Sequence, residues 1–521
     1  MLAAIVLLPA LAGILAFVFP ARWLRRALLV GAPVGHLALS AWTFHASPAP
    51  LLQGWLDLDS AGQLFLLTTS VLFVAASLQT LGYLDTERAH RNSMATAGNL
   101  LLARPPEAIF AACLLLLLSA LTLVTICQHF GLLWVAVEAT TLASAPLIYF
   151  HRDGRSLEAT WKYLVVCSVG IALALLGNFF LAVAASGNAT PALVVSDLVA
   201  ADPALQPSWL KAAMIFFVVG YGTKMGLAPL HTWLPDAHSE APAAVSAVLS
   251  GAVLNCAFLA ILRTLQVCGA AGLGAFAQEL MLVLGFASMG TAAVFVLRQP
   301  DYKRMLAYSS VEHMGILAIG VGIGGSGAFG ALLHAINHSL AKGMLFLAAG
   351  QILAIYATKR SARIHGLLGR YPLLGWVWIG GFMAISGVPP FGVFVSELTI
   401  AKAAIDSHRP VVLVLFLLLL AVVFIGMASS VLAMAQGQDV ETPERIRGRW
   451  VSLLPAMALG ALALGMGLAI PPFLQTNLQQ AAAMLQPAAS ALRSRPAADV
   501  PALGLTVTDQ PVPSPIAQGG R

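Results

Sequence analysis

The sequence predicts an all-α, polytopic membrane protein, and three observations predict it. Of 521 residues, 59% are hydrophobic and only 10% charged, whereas soluble domains carry about one-quarter charged residues. The apolar residues come in successive runs of the ~20 residues that cross a bilayer's hydrocarbon. Lys and Arg fall between those runs, so the net charge of +6 reports orientation and not a nucleic-acid surface. A closed barrel would show short alternating segments instead.

Hydropathy places about fourteen spans, near 2–19, 27–44, 62–82, 108–127, 132–150, 160–184, 209–237, 242–263, 279–297, 305–324, 329–356, 373–407, 411–435 and 451–470. An N-terminus outside puts Arg22, Arg25, Arg26, Arg88, Arg91, Arg104, Arg152 and Arg155 inside. Arg298, Lys303, Arg304, Lys359, Arg360, Arg363, Arg370, Arg445, Arg447 and Arg449 fall on the same side. The opposite loops 47–60 and 186–208 hold no Lys or Arg, so the expected location is a bacterial inner membrane with both termini periplasmic. The first apolar run lacks a basic leader and is expected to stay as a helix. The expected organisation is 1–107 as N-terminal helices, repeats at 108–263 and 279–435, a last span at 451–470 and a disordered tail at 471–521, which is Ala-, Pro- and Gln-rich.

Signals of soluble enzymes fail. Gly322, Gly324 and Gly327 spell GxGxxG, but they lie between membrane helices without the βαβ setting that a nucleotide needs. Cys113, Cys127, Cys167, Cys256 and Cys268 lack CxxC spacing, so neither iron–sulfur nor zinc ligation is supported. No cofactor is expected in this chain.

The informative residues are ionisable ones inside the spans. Lys224 lies about 22 Å into its span at 1.5 Å per residue, too deep for an ordinary interfacial anchor, although a snorkelling lysine is the bland alternative. In APLHTWLPDAHSEAP, Pro229 and Pro235 break that helix at membrane depth, which is tolerated only where protein or water surrounds the backbone. SGVPPFGVFVSEL repeats the theme, with Pro389 and Pro390 in mid-span and Glu397 within two turns. Corresponding breaks in two halves are the pattern of inverted-repeat transporters. Glu138, the carboxylate deep in its own span, is the expected partner of Lys224. Coupling of that kind makes each charge depend on the other and serves as a proton switch, and a static ion pair fixing helix packing remains open.

In HAINHSLAKGMLFLAAG, His334, His338 and Lys342 recur at i, i+4 and i+8. They share one helix face over about 12 Å and read as a file of proton carriers. Paired histidines at that spacing also suit zinc, but no HExxH glutamate or third ligand accompanies them in sequence, so no metal is expected. A pair of hydrogen-bonded core histidines is the remaining alternative.

KMGLAPLHTWLPDAHSEAP, DYKRMLAYSSVEHMG, HAINHSLAKGMLFLAAG and SGVPPFGVFVSE resemble the antiporter-like subunits of respiratory complex I, Mrp antiporters and membrane-bound group 4 hydrogenases. The resemblance covers about 108–435, and RSLEATWKYLVVCSVGIALALLG with SSVEHMG is most similar to the hydrogenase-4 component F group. It implies fourteen helices, two inverted five-helix repeats and discontinuous seventh and twelfth helices. It further implies that Glu138 is the fifth-helix glutamate, Lys224 the seventh-helix lysine, His334, His338 and Lys342 the central link, and Glu397 the terminal carrier. Many relatives have lysine at that last position. Where relatives of the complex I type carry an eighth-helix lysine or histidine, this chain offers Ser250 and Asn255, which hold water but carry no charge. Glu312 and His313, early in the tenth span, are a compensating titratable pair or a mark of a partner interface.

The expected function is a proton-translocating subunit without redox chemistry of its own. Its partners would be other membrane subunits of a hydrogenase-4 or complex I-like assembly and peripheral redox subunits with nickel–iron and iron–sulfur centres on the cytoplasmic side. The bilayer surrounds it, and nucleic acid is not a partner. The alternatives are a Na⁺/H⁺ antiporter subunit of Mrp type and a structural membrane anchor.

Overall fold

A computed structural model describes residues 1–94, 106–186, 193–200, 205–437 and 450–485. The described residues are helical nearly throughout. Helices α1 (Leu2–Val18), α2 (Arg22–Trp42), α3 (Ser60–Met94) and α4 (Pro106–Ile126) precede α5 (Phe130–Ile148) and α6 (Gly154–Ala184). After the short α7 (Val195–Ala200), helix α8 (Pro207–Met225) continues past a break as α9 (Trp233–Glu240). Helix α10 (Ala243–Val248) passes through a π-turn, Leu249–Val253, into α11 (Leu254–Ala270). Then come α12 (Gly274–Val296), α13 (Tyr302–Ile323), α14 (Ser326–Tyr356), the short α15 (Leu367–Arg370), and a second broken pair, α16 (Pro372–Ile385) and α17 (Gly392–Asp406). Helices α18 (Pro410–Ala435), α19 (Leu454–Leu468) and α20 (Pro472–Ala483) close the described chain.

Local chemistry sets several of these boundaries. Asp153 accepts from the Ser156 amide at 2.7 Å while the Ser156 hydroxyl accepts from the Asp153 amide at 3.0 Å, a reciprocal cap that satisfies orphan donors at the start of α6. Asp301 caps α13 through the Arg304 amide at 3.0 Å, and proline opens α8, α16 and α18, where the missing amide is no loss. The GxGxxG match falls at the end of α13 and the start of α14, with Gly324 and Gly325 at positive φ, so it is a helix-to-helix turn.

Among the described residues, ten helices are long and apolar enough to cross a membrane by length and composition, and Leu2–Val18 and Pro372–Ile385 are apolar but shorter. The four expected spans absent from those ten are α1, which is short, α2, which opens on three arginines, and the two stretches split by breaks. The protein is a multi-pass membrane protein. The most apolar stretches of Ala243–Ala270 and Tyr302–Ile323 are buried throughout, whereas Pro410–Ala435 leaves many residues exposed, including Val411, Val414, Leu418 and Ile425. The apolar perimeter faces hydrocarbon, and the polar residues lie at the centre.

The C-terminal expectation is corrected by the structure. The proposed tail from 471 begins as a helix, because Leu474 and Leu478 are buried and Asn477 donates to the Gln63 side chain of α3. Apolar residues four apart give that polar-looking stretch a docking face. The rest of the expected tail, 486–521, lies outside the described residues, as do the side chains of Arg88, Arg91, Arg104, Arg445, Arg447 and Arg449.

Candidate functional site

The first break frees the backbone around Lys224. Gly226 sits at φ +85, a left-handed conformation that favours glycine, and its amide and that of Leu227 bond back to Thr223 and Gly222 to end α8. Trp233 donates its indole N–H to the Thr223 carbonyl at 2.8 Å, and the Ala228 amide donates to Ser288 Oγ at 2.9 Å. The open helix end is thereby satisfied by neighbouring side chains.

Lys224 is buried, and it does not pair with Glu138. Its Nζ donates to Thr141 Oγ1 at 2.7 Å and to the Tyr163 hydroxyl at 2.6 Å, and that hydroxyl is 2.6 Å from Ser144 Oγ. Glu138 is half-buried, accepts from Ser168 Oγ at 3.2 Å, and leaves Oε2 buried without a partner. The ion pairs among the described residues do not include the two. Thr141 lies one turn beyond Glu138 on α5 and takes the place the carboxylate was expected to fill.

The second break holds Glu397. Gly387 has φ +63, and a Cβ there would collide with Glu397 Oε2, so glycine both turns the chain and admits the carboxylate. Asn337 of α14 donates to the Gly392 carbonyl at 2.8 Å, anchoring the second half-helix. Glu312 of α13, Ser386 and Glu397 line one cavity of about 20 Å³, room for a water. Apolar residues of α18, among them Leu420 and Phe424, close it.

Between the breaks lies a histidine cluster. His334, His338 and Lys342 share the inner face of α14 and are fully buried. His334 and His338 do not bond to each other, since their ring centroids are 6.5 Å apart. His313 of α13 enters between them, with centroids 5.0 Å and 4.9 Å away, and its Nδ1 is 2.8 Å from His334 Nε2. The file therefore runs through two helices. Lys342 Nζ donates to the Leu306 carbonyl at 2.7 Å and to Ser309 Oγ.

The tautomers follow from a hydroxyl. Ser396 Oγ gives its one proton to the Val393 carbonyl at 2.8 Å, so at 3.0 Å it accepts from His334 Nδ1–H. His334 Nε2 is then the acceptor, and neutral His313 donates to it through Nδ1–H. The result is a directed hydrogen-bonded run, His313 to His334 to Ser396, ending one residue from Glu397.

Ser250 and Asn255 lie where the eighth helix was expected to carry charge. Ser250, inside the π-turn, is 2.9 Å from Ser310 Oγ, and Asn255 donates to Ser339 Oγ at 2.7 Å. They tie this helix to α13 and α14 with neutral groups. Glu312 and His313 are buried in the interior, which removes the partner-interface alternative for them. His238 of α9, fully buried, with Nδ1 on the Leu234 carbonyl and Nε2 unpartnered, extends the polar centre toward the first break. Tyr163, His238, Ser396 and Asn337 are site residues that sequence reasoning missed.

Residues 127–474 match the family described as NADH:quinone oxidoreductase/Mrp antiporter, TM. The chain belongs to that family. It is 42% identical over 292 residues to a hydrogenase-4 component F homolog of Methylacidiphilum infernorum, covering 55% of this chain and 61% of that protein. It is 30% identical over 390 residues to hydrogenase-4 component B of Escherichia coli, covering 71% of this chain and 55% of that protein. The chain thus spans little more than half the length of these two curated relatives. The fold is that of a chain of the membrane-bound sulfane sulfur reductase, an archaeal respiratory membrane complex, with TM-score 0.80 at 22% identity over 94% of this chain and 99% of that one. A chain of the Mrp complex from Dietzia matches with TM-score 0.78 at 20% identity over 94% and 99%. As a family member the chain is an antiporter-like membrane protein.

Proposed function

We propose that this antiporter-like protein translocates protons in a hydrogenase-4-type redox complex. The observation that carries this reading is the buried run from His313 through His334 to Ser396 beside Glu397. Carriers that bond to one another at 2.8–3.0 Å can hand protons along the membrane plane when each tautomer turns over. Redox chemistry in peripheral subunits with nickel–iron and iron–sulfur centres on the cytoplasmic side supplies the energy in this reading, and it biases the charge states of Glu138, Lys224, Lys342 and Glu397. The neutral Ser250 and Asn255 make the link between the two halves run through hydroxyls, an amide and water. In this reading 108–263 and 279–435 are two repeats, and Lys224 and Glu397 take corresponding roles at their helix breaks.

A second reading, Na⁺/H⁺ exchange, draws on two carboxylates, Glu312 and Glu397, facing one cavity. A relative from Alkalihalophilus pseudofirmus that is named as part of a Na(+)/H(+) antiporter is 28% identical over 358 residues, covering 68% of this chain and 71% of that protein. Ion dependence separates the two readings. Proton uptake by vesicles carrying the whole complex is expected to persist when Na⁺ is replaced by choline, and strict dependence on Na⁺ would transfer the function to the antiporter reading. A structural anchor is disfavoured because each buried cation costs about 2.5 kcal/mol or more in a membrane. The orientation places 358–371 in the cytoplasm, on the strength of its basic residues. A cysteine at Ser361→Cys is expected to react only from the cytoplasmic side.

A further inference from the structure

We propose that His313, His334 and Glu397 form a binding site for a divalent transition-metal ion of the zinc class, and that its occupancy blocks the proton run. One ligand atom from each residue lies within 4.8 Å of the other two. The three come from α13, α14 and α17, so no sequence spacing announces the set. Two imidazoles and one carboxylate, with a fourth position for water, are a ligand set that zinc uses.

The surroundings fit a cation. Glu397 is more than nine-tenths buried, and its Oε1 has no hydrogen-bond partner. An ionised carboxylate so placed is costly unless it meets a positive charge. His334 presents Nε2 to the centre because Nδ1–H is given to Ser396, and a second hydrogen bond of that kind orients a metal-ligating histidine. Neutral imidazoles add no charge, so Glu397 as a ligand and Glu312 across the shared cavity together balance a divalent ion. A neutral assembly is what a membrane interior tolerates. The cavity that Glu397 lines, about 20 Å³, has room for a water as a fourth ligand. Two ligand nitrogens on tetrahedral zinc sit about 3.3 Å apart, against 2.8 Å between the rings here, so the rings part by about half an ångström and the metal replaces the proton they share. His313 then carries its proton on Nε2, which conserves its charge. Hard ions such as Na⁺ prefer oxygen and are disfavoured by the two nitrogens.

Metal binding stands on this geometry alone, whereas the block rests on the proton-transport reading. The test titrates Co²⁺ into the tag-free, full-length chain in detergent and records the visible d–d bands of four-coordinate cobalt. The wild type is expected to develop these bands at one equivalent and to lose them when Zn²⁺ is added, while His313→Gln and Glu397→Gln are expected to bind more weakly by at least roughly the tenfold to hundredfold that losing an outer-shell partner costs. Lys224→Ala, which alters transport but not this cluster, is expected to keep the bands. Absence of bands in the wild type, or equal bands in both ligand variants, overturns the site. In vesicles of the whole complex, Zn²⁺ is expected to stop proton uptake at the concentration that displaces Co²⁺. Uninterrupted uptake at that concentration overturns the block while leaving the bands to report binding.

Discussion

Lys224 Nζ donates hydrogen bonds to the Tyr163 hydroxyl at 2.6 Å and to Thr141 Oγ1 at 2.7 Å, and among the described residues to no carboxylate. A charge held by neutral acceptors is free to respond when a nearby anion appears or leaves, because no fixed counter-ion neutralises it. Tyr163 links it onward to Ser144.

Tyr163→Phe removes that hydroxyl while keeping the ring under the ammonium, 4.6 Å from its centroid. Proton uptake normalised to subunit level is expected to fall about tenfold, equivalent to ~1.4 kcal/mol, with the protein present at close to normal abundance. Unchanged uptake would show that the hydroxyl lies off the path.

At the second break, Gly387→Ala forces a Cβ into the space of the Glu397 carboxylate and asks alanine to hold φ +63. The expected loss is about 1–3 kcal/mol, read as a lower thermal midpoint, together with loss of proton uptake. A variant with both properties intact would mean that Glu397 adopts another position at no cost.

These two sites differ in how legible they were. Lys224, Glu397, His334 and His338 were visible in sequence because a charged or titratable side chain in an apolar run is costly and helical spacing tells which of them share a face. The breaks were visible because Pro229, Pro235, Pro389 and Pro390 cannot continue a helix. Helix packing was not visible. It seats Thr141 instead of Glu138 against Lys224, and it inserts His313 of one helix between two histidines of the next. Nothing in the sequence marks Tyr163 or Ser396, since their partners Lys224 and His334 lie about sixty residues away in the chain. The docking face of α20 was hidden by its glutamines.

That C-terminal helix gives a third test. Truncation after Leu485 is expected to leave assembly intact, while truncation after Pro471 removes Leu474, Leu478 and the Asn477–Gln63 bond. Burial of two leucines contributes about 3–6 kcal/mol, so the shorter chain should be scarce on immunoblots of membranes. Equal abundance of the two truncations would contradict the docking.

A fourth test uses the reciprocal cap of α6, outside the spans. The Ser156 amide, hydrogen-bonded to Asp153, holds that carboxyl below its ordinary value of 3.8. A depressed folded value means that the stabilisation is complete above the unfolded value and is lost as pH falls through the folded one. Asp153→Ala is expected to cost about 1 kcal/mol near neutrality. The gap in thermal midpoint between wild type and variant should narrow only below about pH 3.8. A gap that is constant down to strong acid would show that the charge is not what caps the helix.

The most direct test of proton transfer through this chain is proton uptake by vesicles containing the whole complex, normalised to subunit abundance, for wild type, Lys224→Ala and Lys224→Arg. Arginine keeps the charge but holds its proton at any physiological pH, so a carrier role predicts that both variants lose uptake while the Arg variant assembles normally. Near-normal uptake by Lys224→Arg at normal abundance would contradict the account and leave Lys224 as a fixed charge that packs α8 against α5 and α6.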